Sequence, residues 1–153
     1  MKFGHISMVA RDTDRLAEFY KTVFGCEDIV KRWNMSGEPV SRGNGVPNCE
    51  IYAAWLSLPG ADGPFLEIFQ YKTIEDRATP PVNQPGYGHL CFEVEDIHAS
   101  FDEVIEAGGT PLGKITDLGT ADVPVLCVYV RDPEGNVLEL EQERGKHQTG
   151  HRP

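Results

Sequence analysis

The chain has 153 residues, which is enough for one domain or for two small modules that share a core. Its net charge of −10 at pH 7 argues against non-specific binding to nucleic acid or to an anionic membrane, because its long-range field repels both. No apolar run reaches the length of a membrane span and no two cysteines form a C-x-x-C pair, so we expect a cytoplasmic protein with reduced thiols.

The first half of the chain begins with an alternating strand and continues with an amphipathic helix. Apolar residues recur at helical spacing between the candidate caps, Asp12 or Thr13, and Gly25. In order, we predict a strand over residues 3–10, this helix, a short strand near 28–33, a loop over 34–48, and strands over 50–58 and 65–71. The loop is predicted from its glycine, proline and asparagine content.

The second half repeats this order of elements after a proline-rich connector. In order, we predict a strand over 87–94, a helix between Asp96 and Gly108, strands near 111–116 and 123–131, and a last strand over 137–142. Cys91 and Cys127 fall within apolar strands, so we expect buried thiols. The predicted domains are a first module over 1–72, a connector over 73–86, a second module over 87–142, and a flexible tail over 143–153 that contains His147 and His151.

An internal repeat is the most informative feature of the sequence. Gly-His-Ile-Ser-Met-Val-Ala-Arg-Asp at 4–12 matches Gly-His-Leu-Cys-Phe-Glu-Val-Glu-Asp at 88–96. Near the end of each half, Gly-Pro-Phe-Leu-Glu-Ile-Phe-Gln at 63–70 matches Gly-Asn-Val-Leu-Glu-Leu-Glu-Gln at 135–142. Each half is therefore a βαβββ module that opens on a strand with a histidine and closes on a strand with a glutamate. We predict an α+β fold in which the two modules form curved mixed sheets around a concave site.

Four polar residues share one face of these predicted sheets. Strand alternation turns His5, Glu67, His89 and Glu139 away from the apolar face, because each has an aliphatic neighbour that points the other way. Taken singly, a strand histidine or glutamate is usually packed or solvated. Repeated as a set, two imidazoles and two carboxylates are the donors that Zn, Ni, Co, Mn or Fe(II) prefers, and they leave two positions on a six-coordinate ion.

At this point the chain resembles the vicinal oxygen chelate superfamily, over residues 3–142. Gly-His-Leu-x-Phe-x-Val-x-Asp-Ile at 88–97 and Asp-Pro-Glu-Gly-Asn-x-Leu-Glu-Leu at 132–140 carry the resemblance, together with the paired modules. It implies the glyoxalase-like fold and, as in glyoxalase I, a ligand set of His5, Glu67, His89 and Glu139. The epimerases tend to carry glutamine where Glu67 stands, dioxygenases and fosfomycin-type enzymes use three ligands, and bleomycin-binding members lack the metal set.

The resemblance also implies a function, with alternatives. It favours a metal-dependent isomerase or lyase of the glyoxalase I type, in which Glu139 and Glu67 move a proton on a small metal-chelated carbonyl substrate. An Fe(II)-dependent extradiol-type dioxygenase and a non-catalytic binding or resistance protein of the same fold stay open. Val9 and Tyr71 stand where short bacterial glyoxalases hold glutathione, so a glutathione substrate is in doubt.

The substrate-binding residues are less clearly marked. The predicted loop over 34–48 is the candidate substrate cover, and its Arg42 is suited to an anionic group, although a solvated surface arginine fits as well. Tyr52, Trp55 and Phe69 are candidate pocket residues, although aromatic strand residues are as often core. The expected partner is a small carbonyl or vicinal-oxygen compound. By resemblance we expect a homodimer, with each metal site built within one chain or shared between two.

Overall fold

The computed structural model describes residues 1–143, so the predicted tail with His147 and His151 lies outside the described residues, apart from Glu143. The chain divides into two units, the first over Met1–Ala78 and the second beginning at Thr79. Within residues 1–143, no helix is long and apolar enough to cross a membrane.

The first unit is a four-stranded mixed sheet with two helices. Its elements are β1 (His5–Val9), α1 (Thr13–Phe24), β2 (Trp33–Ser36), α2 (Glu38–Asn44), β3 (Glu50–Ser57) and β4 (Phe65–Tyr71). The strand order is β1-β4-β3-β2, with β1 parallel to β4 and the other neighbours antiparallel. The parallel pair is the first and last strand of the module, so the histidine strand lies beside the glutamate strand.

The second unit repeats this arrangement. Its elements are β5 (Leu90–Glu93), α3 (Ile97–Glu106), β6 (Thr110–Pro111), β7 (Thr116–Asp117), β8 (Val125–Arg131) and β9 (Val137–Glu143). The order is β5-β9-β8-β6, with β7 also paired to β8, and β5 is again parallel to the last strand. The predicted α+β fold with two βαβββ modules is confirmed.

Two parts of the predicted strand pattern were wrong. The strand predicted near 28–33 is only an isolated bridge between Asp28 and Leu56, and β2 begins at Trp33. The strand predicted near 111–116 is two short strands, because the backbone N–H groups of Leu112 and Gly113 both donate to the carbonyl of Tyr129, at 3.2 and 3.0 Å, and interrupt the ladder.

The loop predicted over 34–48 was also wrong, since it contains β2 and the helix α2. Pro39 lies in the first turn of α2, where its missing N–H is not needed. Gly45 ends the helix in the left-handed conformation, at φ 77°, and its N–H donates to Ser41. Proline and glycine therefore mark the two ends of a short helix here.

Each unit has its core between the sheet and one helix. In the first unit, Leu16 and Tyr20 of α1 are fully buried against the sheet face that carries Leu66 and Ile68. In the second unit, Ile97 and Val104 of α3 cover the equivalent face. It carries Leu138, Leu140, Val128 and Val130, all at most 1% exposed. The predicted apolar faces lie under the helices, so the alternate residues of each strand face the other way.

The cysteines differ in their exposure to solvent. Cys26, Cys49 and Cys127 are buried as thiols, but Cys91 is exposed. The expectation that Cys91 is buried was wrong, because β5 is the edge strand of its sheet and Cys91 lies there on the face away from α3.

We expect this difference to appear in thiol labelling. At pH 8, iodoacetamide should modify Cys91 first and leave Cys26 unmodified in the folded protein, because burial raises the pKa of the Cys26 thiol to about 11. Only on the order of a thousandth of that thiol is then in the reactive thiolate form. Peptide mass spectrometry after a timed quench measures the order, and labelling of Cys26 as fast as Cys91 would contradict the burial.

The repeated glutamine near the end of each module has a structural role. Gln70 accepts a hydrogen bond through Oε1 from the backbone N–H of Thr13, at 3.1 Å. Gln142 accepts one from the backbone N–H of Ile97, at 2.9 Å. Each glutamine thus satisfies the first N–H of its module's helix, which has no partner inside the helix. The side chain of Asp12 or Asp96 caps the following residues.

Removing this cap is expected to destabilise the first unit. Gln70→Ala leaves the part-buried N–H of Thr13 without its acceptor, which should lower the free energy of unfolding by about 1–2 kcal/mol. Urea denaturation followed by circular dichroism measures the change. Gln84→Ala, at an exposed position, is the control and should shift stability by under about 0.5 kcal/mol. Equal effects of the two substitutions would refute this role.

Candidate metal centre

The first pair of predicted ligands lies on the sheet face of the first unit that α1 leaves uncovered. Glu67 lies between Leu66 and Ile68, which are both fully buried under the helix, so its carboxylate points to the opposite face. Glu67 pairs in register with Ser7, and His5 lies two residues before that serine on β1. The imidazole Nε2 of His5 lies 3.6 Å from Oε2 of Glu67.

The second pair lies at the equivalent place in the second unit. Glu139 pairs in register with Cys91, and His89 lies two residues before it, just ahead of β5. The imidazole Nε2 of His89 is 2.9 Å from Oε2 of Glu139. The structure therefore brings each histidine next to the glutamate of its own module.

The separations within the pairs can be compared with metal geometry. Two N/O donors at about 2.0–2.2 Å from one ion stand about 3 Å apart at a right angle and about 3.4 Å apart at a tetrahedral angle. The observed 2.9 and 3.6 Å bracket these values, so each pair fits two neighbouring positions on one ion. Across residues 1–143, no group of three or more His, Cys, Asp or Glu side chains is placed to hold a metal. Among the described residues, the structure thus shows two histidine–glutamate pairs, one in each unit.

Aromatic side chains surround the carboxylate of Glu67. The indole N–H of Trp55 donates to Oε1 at 2.9 Å, and the glutamate side chain is only 9% exposed. Phe65 lies between the rings of His5 and Trp55, with ring centroids 5.0 and 4.7 Å away. Trp33 meets Trp55 edge-on at 4.9 Å. One oxygen of Glu67 is therefore held by the indole, and the other faces His5.

The surroundings of Glu139 are different. Tyr129 lies edge-on to the ring of His89 at 5.1 Å, and the hydroxyl of Tyr129 and the thiol of Cys127 both interact with the carboxylate of Glu139. Burial, and then the negative charge of Glu139, raise the pKa of both Tyr129 and Cys127. Both groups therefore keep their protons at neutral pH, which leaves each of them a potential hydrogen-bond donor to the carboxylate.

The roles of Tyr129 and Cys127 were missed from the sequence, although a signal existed for the tyrosine. Each glutamate pairs in register with an aromatic residue across a hairpin: Glu67 with Trp55, and Glu139 with Tyr129. Residues that pair across a hairpin lie at equal distances along the sequence from the centre of the turn, which is near residue 61 in the first module and near residue 134 in the second. Counting back from each glutamate would therefore have identified both aromatic residues.

The predicted substrate residues lie in three different places. Phe69 is on the same face as Glu67, two residues further along β4. Arg42 is an exposed residue of α2 and forms an ion pair with Glu38 at 2.8 Å. Tyr52 is on the opposite face, where its hydroxyl donates to Asp14 of α1 at 3.1 Å. The structure thus brings Phe69, but not Tyr52, to the face that carries His5 and Glu67.

Helix α2 lies against the face of the first sheet that carries Glu67. Its Val40 packs on a buried cluster of Cys49, Ile51 and Ala53, on which Phe69 and other partly buried apolar residues also pack. Ile51 and Ala53 pair in register with Tyr71 and Phe69, so the cluster is on the face of Glu67. The segment predicted as a substrate cover therefore covers the end of this face as a helix.

A separate open cleft of about 480 Å³ lies elsewhere in the first unit. It is lined by Asp28, Ile29, Val30, Lys31, Arg32 and Tyr52. Arg32 there forms ion pairs with Asp14, Glu18 and Asp28, so the cleft wall is held by surface charges on the side of α1. The cleft is thus distinct from the face that carries His5 and Glu67.

Comparison with known proteins assigns the family. Residues 2–140 match the Glyoxalase/Bleomycin resistance protein/Dioxygenase superfamily. The chain belongs to this superfamily. A solved glyoxalase family protein from Bacillus cereus superposes with a TM-score of 0.83 at 24% identity, over 95% of each chain. The glyoxalase-like fold predicted from the paired modules is thereby confirmed.

Two superfamily relatives with enzyme names cover nearly the whole chain. An ethylmalonyl-CoA/methylmalonyl-CoA epimerase from Cereibacter sphaeroides is 43% identical, over 92% of this chain and 97% of its own. A probable lactoylglutathione lyase from Vibrio cholerae is 25% identical, over 94% of this chain and 91% of its own. These relatives support an isomerase or lyase of the superfamily.

Proposed function

We propose that the protein is a metal-dependent isomerase that moves a proton on a carbon next to a carbonyl group. His5, Glu67, His89 and Glu139 are proposed as the ligands of one divalent transition metal. The observation that carries the proposal is the repeated pair, since each module has a histidine Nε2 at 2.9 or 3.6 Å from a glutamate Oε2. If the repeat served packing alone, it would not require a histidine beside a glutamate on the sheet face that the helix leaves uncovered.

The donor set fits this class of ion. Imidazole nitrogens and carboxylate oxygens suit Zn, Ni, Co, Mn and Fe(II), and four protein ligands leave two positions for a chelating substrate. When bound, the ion supplies a Lewis acid that makes the C–H bond beside a coordinated carbonyl more acidic.

The two glutamates are the proposed proton carriers. A carboxylate oxygen of Glu139 accepts the proton as the C–H bond breaks and its electron pair moves toward the carbonyl. A proton then returns to carbon and the electron pair reforms the C–H bond: either Glu139 gives back the proton that it took, or Glu67, protonated at the start of the cycle, delivers its own proton to the opposite face while Glu139 keeps the first. Return to the opposite face of the same carbon inverts its configuration, while return to the neighbouring carbon isomerises the substrate. Tyr129 and Cys127, which interact with Glu139, are proposed to hold it in place.

The proposed substrates are 2-alkylmalonyl thioesters, in which one acidic C–H lies between a thioester and a carboxylate. The epimerase relative at 43% identity supports this class. The second candidate is a glyoxalase-type lyase acting on a hemithioacetal. It is favoured by the carboxylate at Glu67, the residue type that glyoxalase I-like members carry there, and by the lyase relative. A homodimer and a cytoplasmic location stay predictions.

Proton exchange with solvent tests the proposal directly. The purified protein is incubated in D₂O with methylmalonyl-CoA or ethylmalonyl-CoA, and NMR follows the loss of the C2 proton. Circular dichroism follows the epimerisation at C2 of a substrate supplied as a single epimer. We expect both to be accelerated, to stop after chelation by EDTA, and to return with added metal. The hemithioacetal of methylglyoxal and glutathione is assayed in parallel. No metal-dependent exchange with any of these substrates would overturn the proposed isomerase.

A further inference from the structure

We propose that Trp55 is a positioning residue which holds one oxygen of Glu67 and thereby makes a carboxylate, rather than an amide, necessary at position 67. The proposal rests on the metal site proposed above. It begins from the hydrogen bond of 2.9 Å that the indole Nε1–H donates to Oε1 of Glu67. Trp55 and Glu67 are directly opposite each other in the antiparallel pair β3–β4, so the backbone register fixes this contact.

The indole has little freedom to turn away. Its ring packs against Phe65 at 4.7 Å on one side and against Trp33 at 4.9 Å on another. Glu67 itself is 9% exposed, so water has little access to its carboxylate. A buried carboxylate without this donor loses a hydrogen bond that solvent does not replace.

The chemistry of the two groups sets the requirement. An indole N–H is only a donor, whereas a carboxylate accepts through both of its oxygens. Oε1 of Glu67 can therefore accept from Trp55 while Oε2, which faces His5 at 3.6 Å, stays available to an ion. A glutamine has a single oxygen. If that oxygen accepts from Trp55, its NH₂ group points toward His5 and the ion. If the oxygen instead binds the ion, the amide NH₂ group faces the indole N–H of Trp55, and two donors meet without an acceptor.

The second module lacks this restriction. Tyr129 occupies the place opposite Glu139 that Trp55 occupies opposite Glu67. A phenol hydroxyl both donates and accepts, and it rotates to suit its partner. The strict requirement for a carboxylate is therefore confined to the first module, where the partner is a fixed donor.

A double-mutant cycle on cobalt binding tests the proposal. The metal-free protein is titrated with Co²⁺ by calorimetry in the wild type, Trp55→Phe, Glu67→Gln and the double variant. We expect Trp55→Phe to weaken Co²⁺ binding by about 10- to 100-fold, which is typical of removing a partner that orients a ligand. In the Glu67→Gln background the same change should instead strengthen binding, because the amide oxygen is released from the indole. Loss of affinity by the same factor in both backgrounds would overturn the proposal.

Trp33→Phe is the matched control. It alters the same aromatic packing but leaves the indole that contacts Glu67 in place. We expect its Co²⁺ affinity to stay within about threefold of the wild type. A loss as large as that of Trp55→Phe would assign the effect to packing and not to the hydrogen bond.

A second measurement does not depend on metal. In ¹H–¹⁵N spectra of the metal-free protein, the Trp55 indole N–H should exchange slowly with water in the wild type and in Glu67→Gln, where the amide oxygen still accepts from it. Glu67→Leu should remove that protection. If the wild type shows the protected indole but binds no Co²⁺, the proposed metal function fails while the hydrogen bond stands. An indole N–H that exchanges rapidly in the wild type overturns the positioning role itself.

Discussion

Replacing Glu139 with glutamine is expected to slow the proton exchange of the substrate by about 10²- to 10⁴-fold, the usual contribution of a positioned general base. An amide accepts no proton at neutral pH, yet it has nearly the same size as the carboxylate and can still pair with Tyr129, whose hydroxyl both donates and accepts. The fold should therefore survive, and the loss should appear in kcat. The D₂O assay with the proposed thioester substrates measures it.

The matched control for this substitution is Glu93→Gln. Glu93 lies on the same sheet face, on the neighbouring strand β5, and is exposed, so the change removes an equal charge without touching the ligand pair. We expect activity within about threefold of the wild type. Metal content is measured on both variants. Low activity in Glu139→Gln with its metal retained would mean that a base was lost, whereas low activity with its metal gone would mean that a ligand was lost. Full activity in Glu139→Gln would exclude the proposed proton carrier.

Gly109→Ala is expected to destabilise the second unit by about 1–3 kcal/mol. A Cβ atom at this position would lie 2.6 Å from the carbonyl oxygen of Arg131 and 2.7 Å from Cγ1 of Val104. Val104 is fully buried, and the N–H of Gly109 donates to its carbonyl at 2.9 Å, so neither neighbour moves without disturbing the end of α3. The close approach of helix and strand therefore requires glycine for reasons of space.

Gly113→Ala is the control for this effect. Gly113 follows on the same segment, but a Cβ atom there would meet nothing nearer than the backbone nitrogen of Tyr129, at 3.8 Å. We expect a change under about 1 kcal/mol. Urea denaturation of both variants gives the comparison. A Gly109→Ala protein as stable as Gly113→Ala would show that the helix end can shift, which would contradict the packing described above.

Much of the fold could be predicted from local rules because the two modules repeat them. Asp12 and Asp96 cap α1 and α3, and Gly25 ends α1 in the left-handed conformation, as their residue types predict. Strand alternation around Glu67 and Glu139 placed the apolar neighbours under the helices. Within each module, the same alternation and the parallel pairing of first and last strands bring the histidine to the glutamate.

The remaining features depend on information that a single strand or loop does not carry. Tyr52 was grouped with Phe69 as a pocket residue, but β3 alternates, and its residue opposite Glu67 is Trp55, three positions away. Tyr52 therefore faces α1. Helix α2 was hidden because its proline and glycine are also loop residues, and its stability comes from Val40 packing on the sheet. Such packing is set by tertiary contacts.

The central claim is that one divalent ion is bound by the two histidine–glutamate pairs. Plasma mass spectrometry of the purified wild type, His89→Ala and Glu139→Ala tests it most directly, with protein concentration determined by amino-acid analysis. We predict close to one equivalent of Zn, Ni, Co, Mn or Fe per chain in the wild type and its loss in both variants. A wild type that holds no ion and takes up none on reconstitution would contradict the claim.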